Sequence, residues 1–386
     1  MNRKLRMGMV GGGKNAFIGA VHRIAANLDG LTELACGCFS SDPVISLQSG
    51  KDLFLTESRI YSSYEVMFKQ EALLDENVRM DFVTIVTPNN AHFEPVMMAL
   101  DAGFHVVIDK PISFTTAEAI QIQNKVIETG LLLCLTHTYS GYPLVKHARK
   151  LVADGDLGPI RKIYVEYPQG WLSRPEENSN NKQASWRTDP ARSGKSGCMG
   201  DIGTHAAHLA EYISGLNIIK LCADLNKVVE GRQLDDDGAV LLKFENGASG
   251  VLIASQVAAG EENPLTIRVY GIKGGLEWNQ MEPNTLIMKW LDQPTQLLRT
   301  GGPGLSDAAH LNTRTPAGHP EGYLEAFANL YRNFCLKLSS VIDGGPEPSI
   351  YQDFPNAEDG VRGMAFIDKV VESGSSTVKW TDFKIE

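Results

Sequence analysis

The chain has 386 residues, enough for two domains of ordinary size, and its 43% hydrophobic and 21% charged residues are typical of a globular protein. The formal net charge of −10 argues against binding to nucleic acid or to an anionic membrane, both of which favour a basic surface. No apolar run is long enough to cross a bilayer, no secretory signal is recognised and the six cysteines form no CxxC pair, so we expect reduced thiols in a cytoplasmic protein.

The first third of the chain alternates short apolar segments with amphipathic segments. Strands are predicted over residues 5–10, 32–39, 81–88, 104–111 and 131–137. Helices are predicted from about Gly19 and over residues 92–103 and 115–130. Continuous apolar strands between helices indicate a parallel sheet that is covered on both faces. Ligands of such folds bind at the carboxyl ends of the strands, where this sequence has GGGKN, SSDP, TPNN and DKP.

Beyond about residue 160 the sequence favours strands that follow one another. Strands are predicted within residues 160–171, 265–278 and 285–291, and a hairpin over residues 238–257 around Asn246–Gly247. We interpret this part as a mostly antiparallel sheet, open on one face and covered by helices on the other. A long exposed loop is expected over residues 299–318, with helices over 320–338 and 356–374. The predicted fold class is therefore α/β.

The segment VGGGKNAFIGAVH, residues 10–22, joins a predicted strand to a predicted helix. Its glycines fit the pattern G-x-G-x-x-A, with Gly19 as a second candidate for the third position. Glycines allow a tight turn and a close approach to a pyrophosphate, whose negative charge a helix N-terminus favours. An ordinary tight turn would also explain them, but the strand–glycine–helix context favours a dinucleotide. The candidate cofactor contacts here are Gly11, Gly13, Lys14, Asn15, Ala16, Phe17 and Ile18.

The end of the second predicted strand, CFSSDP, bears on the choice between NAD and NADP. In dinucleotide-binding folds an acidic residue at this place binds the ribose hydroxyls of NAD. Here Ser40 occupies that place and Asp42 lies just beyond it. No Arg or Lys is adjacent to hold a 2′-phosphate, although Lys14 or Arg59 could fold inward. We therefore expect NAD as the cofactor, with NADP not excluded.

Two further strand ends carry polar motifs, TPNNAH at residues 87–92 and DKP at residues 109–111. A helix cap and an exposed turn would explain both. Yet Lys110 occupies the place where a cofactor-bound substrate would lie, and a lysine acts there through charge and hydrogen bonding. The candidate cofactor contacts of these motifs are Thr87, Pro88, Asn89, His92, Asp109 and Lys110.

The segment GCMGDIGTHAAH, residues 197–208, places Asp201, His205 and His208 on roughly one face if a helix starts near Gly203. Asp201 could cap a helix with two ordinary histidines. The three side chains could instead hold a metal. Alternatively, Asp201 and His205 could form an acid–base site, because a histidine is suited to accept a hydroxyl proton near neutral pH.

Together these motifs resemble the Gfo/Idh/MocA oxidoreductases, which include glucose–fructose oxidoreductase and inositol dehydrogenase, over nearly the whole chain. The resemblance rests on the glycine segment with His22, on VTPNNAH, on DKP and on WRTDPARSG followed by GDIGTHAAH. It implies a Rossmann NAD(P)-binding domain at residues 1–136. It also implies an α/β domain for substrate binding and oligomerisation at residues 137–386, with a large open sheet.

By position, the resemblance gives Lys110 the place of the family's active-site lysine. It gives Asp201 and His205 the place of a D-x-x-x-H pair in which His205 accepts the proton. The matching segment Trp186, Arg187 and Asp189 would approach the substrate. The sequence departs from the family pattern at four places: a longer glycine loop, Asp109 for the usual glutamate, Lys195–Ser196 within a glycine-rich segment, and His208 where many members have Asp.

The resemblance implies an NAD(P)-dependent dehydrogenase that oxidises a secondary or anomeric hydroxyl of a cyclitol, sugar or glycoside, and we expect no metal. There are two alternatives: oxidation of a glycoside with retained cofactor, and a non-catalytic dinucleotide-binding sensor. His319 follows the long loop, before a helix expected near Glu321, and we expect a homo-oligomer, a tetramer or dimer, in which it reaches a substrate pocket. The candidate substrate contacts are Lys110, His137, Tyr139, Trp171, Arg187, Asp201, His205, His208 and His319, and the aromatic ones could equally belong to the core.

Overall fold

The computed structural model describes residues 3–14, 16–179 and 181–385. The chain forms two compact units, the first from Met1–Gly141 and Tyr323–Val361, the second from Tyr142–Gly322 and Arg362–Glu386. The expected division into residues 1–136 and 137–386 assigned everything after residue 136 to the second domain. The structure differs from it for Tyr323–Val361, which returns to the first unit.

The first unit is built on a parallel sheet. Its elements in chain order are β1 (Leu5–Gly11), α1 (Phe17–Asn27), β2 (Thr32–Cys38), α2 (Pro43–Asp52), α3 (Tyr64–Ala72), β3 (Phe82–Val86), α4 (Phe93–Asp101), β4 (His105–Ile108), α5 (Thr116–Thr129) and β5 (Leu133–Leu135). The strand order is β2-β1-β3-β4-β5, and all neighbours are parallel. Every residue of β3 is buried, as expected for a sheet covered on both faces.

Local sequence explains most of these elements. A capping box of Thr115 and Glu118 starts α5, and Gly130, with φ of 66°, ends it. The helix expected from about Gly19 starts two residues earlier, at Phe17. The strand expected over residues 131–137 is shorter, so His137 lies beyond its end. The helices α2 and α3 had no counterpart among the predicted elements.

The second unit contains helices and the second sheet. Its elements up to the return segment are α6 (Pro143–Ala153), β6 (Ile160–Pro168), α7 (Lys182–Arg187), α8 (Pro190–Ser193), a π-helical turn (Met199–Gly203), α9 (Thr204–Ser214), β7 (Ile218–Asn226), β8 (Asp237–Phe244), β9 (Ser249–Ser255), β10 (Thr266–Gly271), β11 (Gly274–Asn279), β12 (Thr285–Trp290), β13 (Gln296–Arg299) and α10 (Asp307–Leu311). The chain ends with α11 (Tyr323–Asp343), α12 (Ala357–Ser375) and β14 (Trp380–Asp382).

The second sheet has nine strands in the order β13-β12-β11-β10-β6-β9-β8-β7-β14. Its neighbours are antiparallel except for the parallel pair β6 and β9, which confirms the predicted mostly antiparallel sheet. The predicted hairpin is β8 and β9, with Gly247 at φ of 86° in its turn. Along β8, buried residues alternate with exposed ones such as Leu241 and Lys243, so one face of the sheet is open. Helices α6 and α9 contact the other face.

Residues 299–318 are more ordered than the expected exposed loop. They contain the short helix α10, whose Ala309 is buried. The amide of Ser306 donates to Nδ1 of His147 on α6 at 3.1 Å. The next helix, α11, starts at Tyr323 rather than near Glu321, whose carboxylate accepts from the amide of Thr315 at 2.7 Å.

The helix α11 completes the core of the first unit. Its buried Phe327, Tyr331 and Phe334 pack with Phe82 of β3 and Val107 of β4. The six cysteines are free thiols. Across the described ranges, no helix is both long enough and apolar enough to cross a membrane.

Candidate active site

The glycine loop of the first unit is shaped by the space available to its backbone. Gly11 and Gly12 have φ of 82° and 69°, a left-handed conformation that favours glycine. A Cβ atom on Gly19 would lie 2.3 Å from the Cα of Gly12, so α1 packs directly on the loop. Gly19 is therefore the glycine that the close approach requires, while Ala16 is the residue that precedes the helix.

Several loop amides are already committed within the protein. The amide of Gly13 donates to the carbonyl of Phe39 at 3.2 Å, and that of Lys14 donates to Oγ of Ser49 at 3.1 Å. Helix α1 has neither a side-chain cap nor an acidic residue in its first turn. Its positive end, at Phe17 and Ile18, therefore suits a diphosphate, and the glycine cradle fits a dinucleotide. Asn15 lies outside the described residues.

The polar side chains that follow β2 make hydrogen bonds within the protein. Oγ of Ser40 accepts from the amide of Asp42 at 3.1 Å, and the Asp42 carboxylate caps α2 through the amide of Val44 at 2.8 Å. Arg59 donates to both carboxylate oxygens of the buried Glu71 at 2.8 and 2.9 Å. The suggestion that Arg59 folds inward to a 2′-phosphate is therefore contradicted. The Lys14 side chain is exposed.

The ends of β3 and β4 are tied together by a buried histidine. The two ring nitrogens of His92 lie 2.6 Å from the carbonyl oxygen of Pro111 and 2.8 Å from that of Thr87. Burial lowers the pKa of His92, while these carbonyl contacts and the charge of Asp109 act in the other direction. His92 thus supports the loops that carry Thr87 and Lys110. Pro88 is exposed and Asn89 is half-buried in the turn between them.

Asp109 shapes the loop that carries Lys110. Its Oδ1 accepts from the amide of Lys110 at 2.9 Å and from Oγ1 of Thr136 at 3.0 Å. The Lys110 side chain is half-buried. Because β3 lies between β1 and β4 and pairs in parallel with both, the glycine loop after β1 and the Lys110 loop after β4 lie at the same edge of the sheet. This is where dinucleotides bind in such folds.

In the second unit, Asp201 lies in the π-helical turn before α9. Its Oδ2 accepts from Nε of Arg187 and from Nε2 of Gln256, each at 2.9 Å. The N-cap residues of the turn and of α9 are Cys198 and Gly203, so Asp201 holds neither N-cap position. Such π-helical turns occur often at functional sites.

A distant carboxylate holds the start of this turn. Asp235 is buried and accepts from Oγ of Ser196 at 2.8 Å, the amide of Gly197 at 2.9 Å and the amide of Met199 at 2.8 Å. Burial raises the pKa of Asp235, and these three hydrogen bonds oppose the increase. A Cβ on Gly197 would lie 2.3 Å from the carbonyl oxygen of Asp235, which explains the glycine there.

His205 is buried in the first turn of α9, beside a polar network at the end of β6. Its ring centre is 6.5 Å from that of Tyr167, in an edge-on arrangement. The Tyr167 hydroxyl donates to Oδ1 of Asn263 at 2.8 Å, and Gln169 donates to the same oxygen at 2.6 Å. Nε1 of Trp171 donates to Oε1 of Gln169 at 3.0 Å. These groups offer a mixed polar and aromatic surface near His205.

The guanidinium of Arg187 lies over two indole rings, 4.3 Å from the ring centre of Trp186 and 5.8 Å from that of Trp171. It therefore links Asp201 to an aromatic surface of the kind that suits the C–H faces of a sugar ring. Asp189, from the same segment, caps α8 through the amide of Ala191 at 3.0 Å. The structure thus brings Trp171, Arg187 and Asp201 together within the second unit.

The other predicted substrate residues are His137, Tyr139, His208 and His319. His137 and Tyr139 are buried at the end of β5 in the first unit. His208 is buried and stacks on Tyr212 with ring centres 5.7 Å apart. His319 is exposed, with Nδ1 3.2 Å from the carbonyl oxygen of Pro316. Among the residues that the structure describes, no group of three or more His, Cys, Asp or Glu side chains is arranged to hold a metal.

Arg187 was among the predicted residues, but sequence reasoning missed two others that hold Asp201 and its turn. Gln256 directly follows β9, and Asp235 belongs to the acidic run LDDDG before β8. A strand-end position is the only signal that pointed to Gln256. The acidic run gave no indication that Asp235 would reach residues almost forty positions earlier in the chain.

Comparison with known proteins gives the same organisation. Residues 5–137 match a family model described as "Oxidoreductase family, NAD-binding Rossmann fold", and residues 145–277 match "GFO/IDH/MocA C-terminal domain". An uncharacterised oxidoreductase of Bacillus subtilis (strain 168), YfiI, is 32% identical over 100% of this chain and 98% of its own length. Levoglucosan dehydrogenase of Pseudarthrobacter phenanthrenivorans is 26% identical over 72% of this chain and 74% of its own length.

Among solved structures, an inositol dehydrogenase homologue from Azotobacter vinelandii in complex with NAD+ is similar over 99% of this chain and 98% of its own. The TM-score is 0.93 and the sequence identity 34%. A second structure of that homologue, with NADH and myo-inositol, matches with a TM-score of 0.90.

Proposed function

This chain belongs to the GFO/IDH/MocA family of NAD-binding oxidoreductases, and from that premise we propose that it oxidises a secondary hydroxyl of a cyclitol or pyranose sugar. The observation that carries the proposal is the Asp201 carboxylate, held by Arg187 and Gln256, four residues before the buried His205. The myo-inositol complex of the Azotobacter homologue supports a cyclitol as the first substrate to test.

His205 is the proton acceptor for the substrate hydroxyl in this proposal, because a neutral imidazole is the side chain best suited to that step near neutral pH. Asp201 orients the reacting groups from a fixed position. Lys110 stabilises the negative charge that develops on the substrate oxygen. NAD, when bound, supplies the hydride acceptor.

The residues that would hold NAD come from the first unit. They are the glycine loop with Gly11, Gly13 and Ala16, the start of α1 at Phe17 and Ile18, and the strand ends with Ser40, Thr87 and Lys110. Since Glu71 engages Arg59 and no base adjoins Ser40, we propose a modest preference for NAD over NADP. Comparing catalytic efficiency with both cofactors, in the wild type and in Lys14→Ala, tests this. A strong NADP preference that Lys14→Ala abolishes would contradict it.

The function is tested by following NADH absorbance with NAD and myo-inositol, glucose or levoglucosan. We expect Lys110→Ala and His205→Ala each to lower turnover by about two to four orders of magnitude. NADH binding and the melting temperature serve as controls for folding. Wild-type turnover in both variants would contradict the mechanism. Oxidation of a glycoside with no net NADH and tightly retained cofactor would favour the redox-neutral alternative, and binding without any turnover would favour a sensor.

We also propose that the chain is a homo-oligomer, a tetramer or dimer, that associates through the open face of the nine-stranded sheet. Leu241, Ile253 and Leu297 are exposed large apolar side chains on its strands. In this proposal the loop with His319 reaches a substrate pocket. Sedimentation of the wild type, and the Michaelis constant of His319→Ala, test the two parts. A fully active monomer that is indifferent to His319→Ala would contradict both.

A further inference from the structure

We propose that Gln256 is a positioning residue that acts through Asp201, an inference that rests on the proposed function of the Asp201–His205 site. Gln256 holds the Asp201 carboxylate with an uncharged donor, and this neutral contact keeps Asp201 in the orientation that the reaction uses.

The backbone of Gln256 is fixed on both sides. Its amide donates to the carbonyl of Asp236 at 2.9 Å, and its carbonyl accepts from the amide of Leu172 at 3.1 Å. The residue is 2% exposed and directly follows β9. Because its backbone and its side chain are both confined, the side-chain amide of Gln256 donates to Asp201 from a fixed position.

Gln256 and Arg187 make different contributions to the same oxygen of Asp201. Both donate to Oδ2 at 2.9 Å. The Arg187 side chain is 23% exposed and also donates to Oε1 of Gln183 at 2.6 Å, so it lies at the solvent side of the site. Gln256 approaches from the buried side. A buried donor with one geometry restricts the carboxylate more than a partly exposed, flexible cation.

The charged groups around Gln256 explain why its donor is neutral. A cavity with room for about one water molecule is lined by Gln256 and by Arg187, Arg232, Asp235 and Asp236. Arg232 pairs with Asp236 at 3.1 Å, and Asp235 accepts the hydrogen bonds of the turn. With Asp201 and the nearby His205, the set has two guanidinium groups, three carboxylates and one imidazole. A further carboxylate here would be repelled by Asp201 and could not donate to it.

The experiment uses Gln256→Glu, which keeps the size of the side chain and makes its hydrogen-bond donor depend on pH. At about pH 8 the introduced carboxylate is ionised and repels Asp201. At about pH 5.5 it begins to bind a proton and can donate again. The ratio of variant to wild type at each pH is the measured quantity, so that other effects of pH on the reaction cancel.

We expect kcat of Gln256→Glu to be lower than wild type by about a hundredfold at pH 8 and by about tenfold or less at pH 5.5. Gln256→Leu should lose about tenfold to a hundredfold in kcat at every pH, with a smaller change in KM. The matched control is Gln233→Glu, the same substitution at an exposed position of the second unit, which should follow wild type throughout.

A second readout needs no substrate. The melting temperature of Gln256→Glu should lie about 3–5 °C below wild type at pH 8 and approach it at pH 5.5. This recovery should be clearly smaller in the Asp201→Asn background, where Asp201 no longer repels the introduced carboxylate. NADH binding to the first unit checks folding.

The outcomes separate the two proposals. A wild type that oxidises none of the substrates overturns the proposed function, while the melting temperatures still test the contact. An active wild type whose Gln256→Leu variant keeps kcat, or whose Gln256→Glu ratio does not change with pH, overturns the positioning role. A pH recovery that is as large in the Asp201→Asn background as in the wild-type background also overturns it.

Discussion

The glycine loop in the first unit and the Asp201 turn in the second are held in different ways. The loop is shaped by close backbone contacts, such as Gly12 against Gly19, and by bonds from its amides to the carbonyl of Phe39 and the hydroxyl of Ser49. Arg23 gives it a charged support, because its guanidinium donates to the carbonyl of Gly12 at 2.6 Å. The packing of the glycine loop therefore depends mainly on the volume of its side chains.

The Asp201 turn is held by side chains with charge. Asp235 accepts three hydrogen bonds from Ser196, Gly197 and Met199, and Arg187 donates to Asp201. Changes of charge at constant volume should therefore disturb the turn. Changes of volume at constant charge should disturb the glycine loop. All five tryptophans lie in the second unit, so their fluorescence reports on that unit alone.

The largest expected effect is in the second region. Asp235→Ala leaves three buried donors without their charged acceptor and should lower the free energy of unfolding by about 3 kcal/mol. Asp235→Asn keeps one acceptor oxygen and nearly the same volume, and should lose about half as much. Urea unfolding followed by tryptophan fluorescence measures both. A loss confined to Asp235→Ala, with Asp235→Asn as stable as wild type, would mean that volume, not charge, holds the turn.

The next effect concerns the response of the first unit to acid. Burial lowers the pKa of His22 to about 4, and burial also lowers that of His105 to about 4. Below the ordinary value of 6.5 the unfolded chain binds protons that the folded chain does not. Their contribution to stability is therefore complete above pH 6.5 and is lost as the pH falls towards 4, by about 1.4 kcal/mol per pH unit and histidine.

Acidification from about pH 7 to about pH 5 should thus cost the first unit about 2 kcal/mol for each of these histidines. His22→Asn, whose side-chain amide can still hydrogen-bond the hydroxyl of Tyr331, should remove the part of this stability loss that is due to His22. His105→Asn, whose side-chain oxygen can accept from the amide of Leu132, should remove the part that is due to His105. Hydrogen exchange of peptides from β3 and α1 measures the first unit. Wild-type protection that stays constant over this range would refute the prediction.

The two regions also differ in how far the sequence predicted them. The glycine loop lies within one strand–turn–helix segment, so local pattern was sufficient to place Gly11 and the start of α1 at one end of the parallel sheet. Even there, the choice between Ala16 and Gly19 needed the distance from Gly19 to Gly12. The strand series and the hairpin at residues 238–257 followed from periodicity in the same way.

The supports of Asp201 depend on contacts between distant segments. Gln256 and Asp235 meet the turn only after β8 and β9 pair, and no local pattern encodes those contacts. The return of α11 to the first unit was missed for the same reason, since an amphipathic helix shows which face is apolar but not which partner covers it. The predicted roles of Lys110 and His205 came from family resemblance and remain predictions.

A volume change at constant charge provides the next test. Gly19→Ala places a methyl group where Gly12 leaves no space, so α1 must move away from the loop. We expect NADH affinity to fall about tenfold, since the cost of overpacking is about 1–3 kcal/mol. Ala20→Leu, which adds more volume at an exposed neighbouring position of α1, is the control and should bind NADH like wild type. Normal binding by Gly19→Ala would show that the loop tolerates the added volume.

The smallest effect concerns Phe54, which follows α2 and, in the described part of the chain, is the residue other than glycine with a positive φ, of 60°. Its side chain is 96% exposed, so it buries almost no apolar surface in compensation. The left-handed conformation costs about 1–2 kcal/mol, and Phe54→Gly removes that cost while adding about 0.4–1 kcal/mol of entropy to the unfolded chain. The net result should be a gain in stability of about 1 kcal/mol. Phe54→Ala removes the ring but keeps the strained backbone, and should leave stability unchanged.

Because the tryptophans report on the second unit only, thermal unfolding by circular dichroism in the far ultraviolet is the appropriate measurement. An equal gain in stability for both variants would assign the effect to the exposed ring. The backbone conformation of Phe54 would then not limit the stability of the first unit.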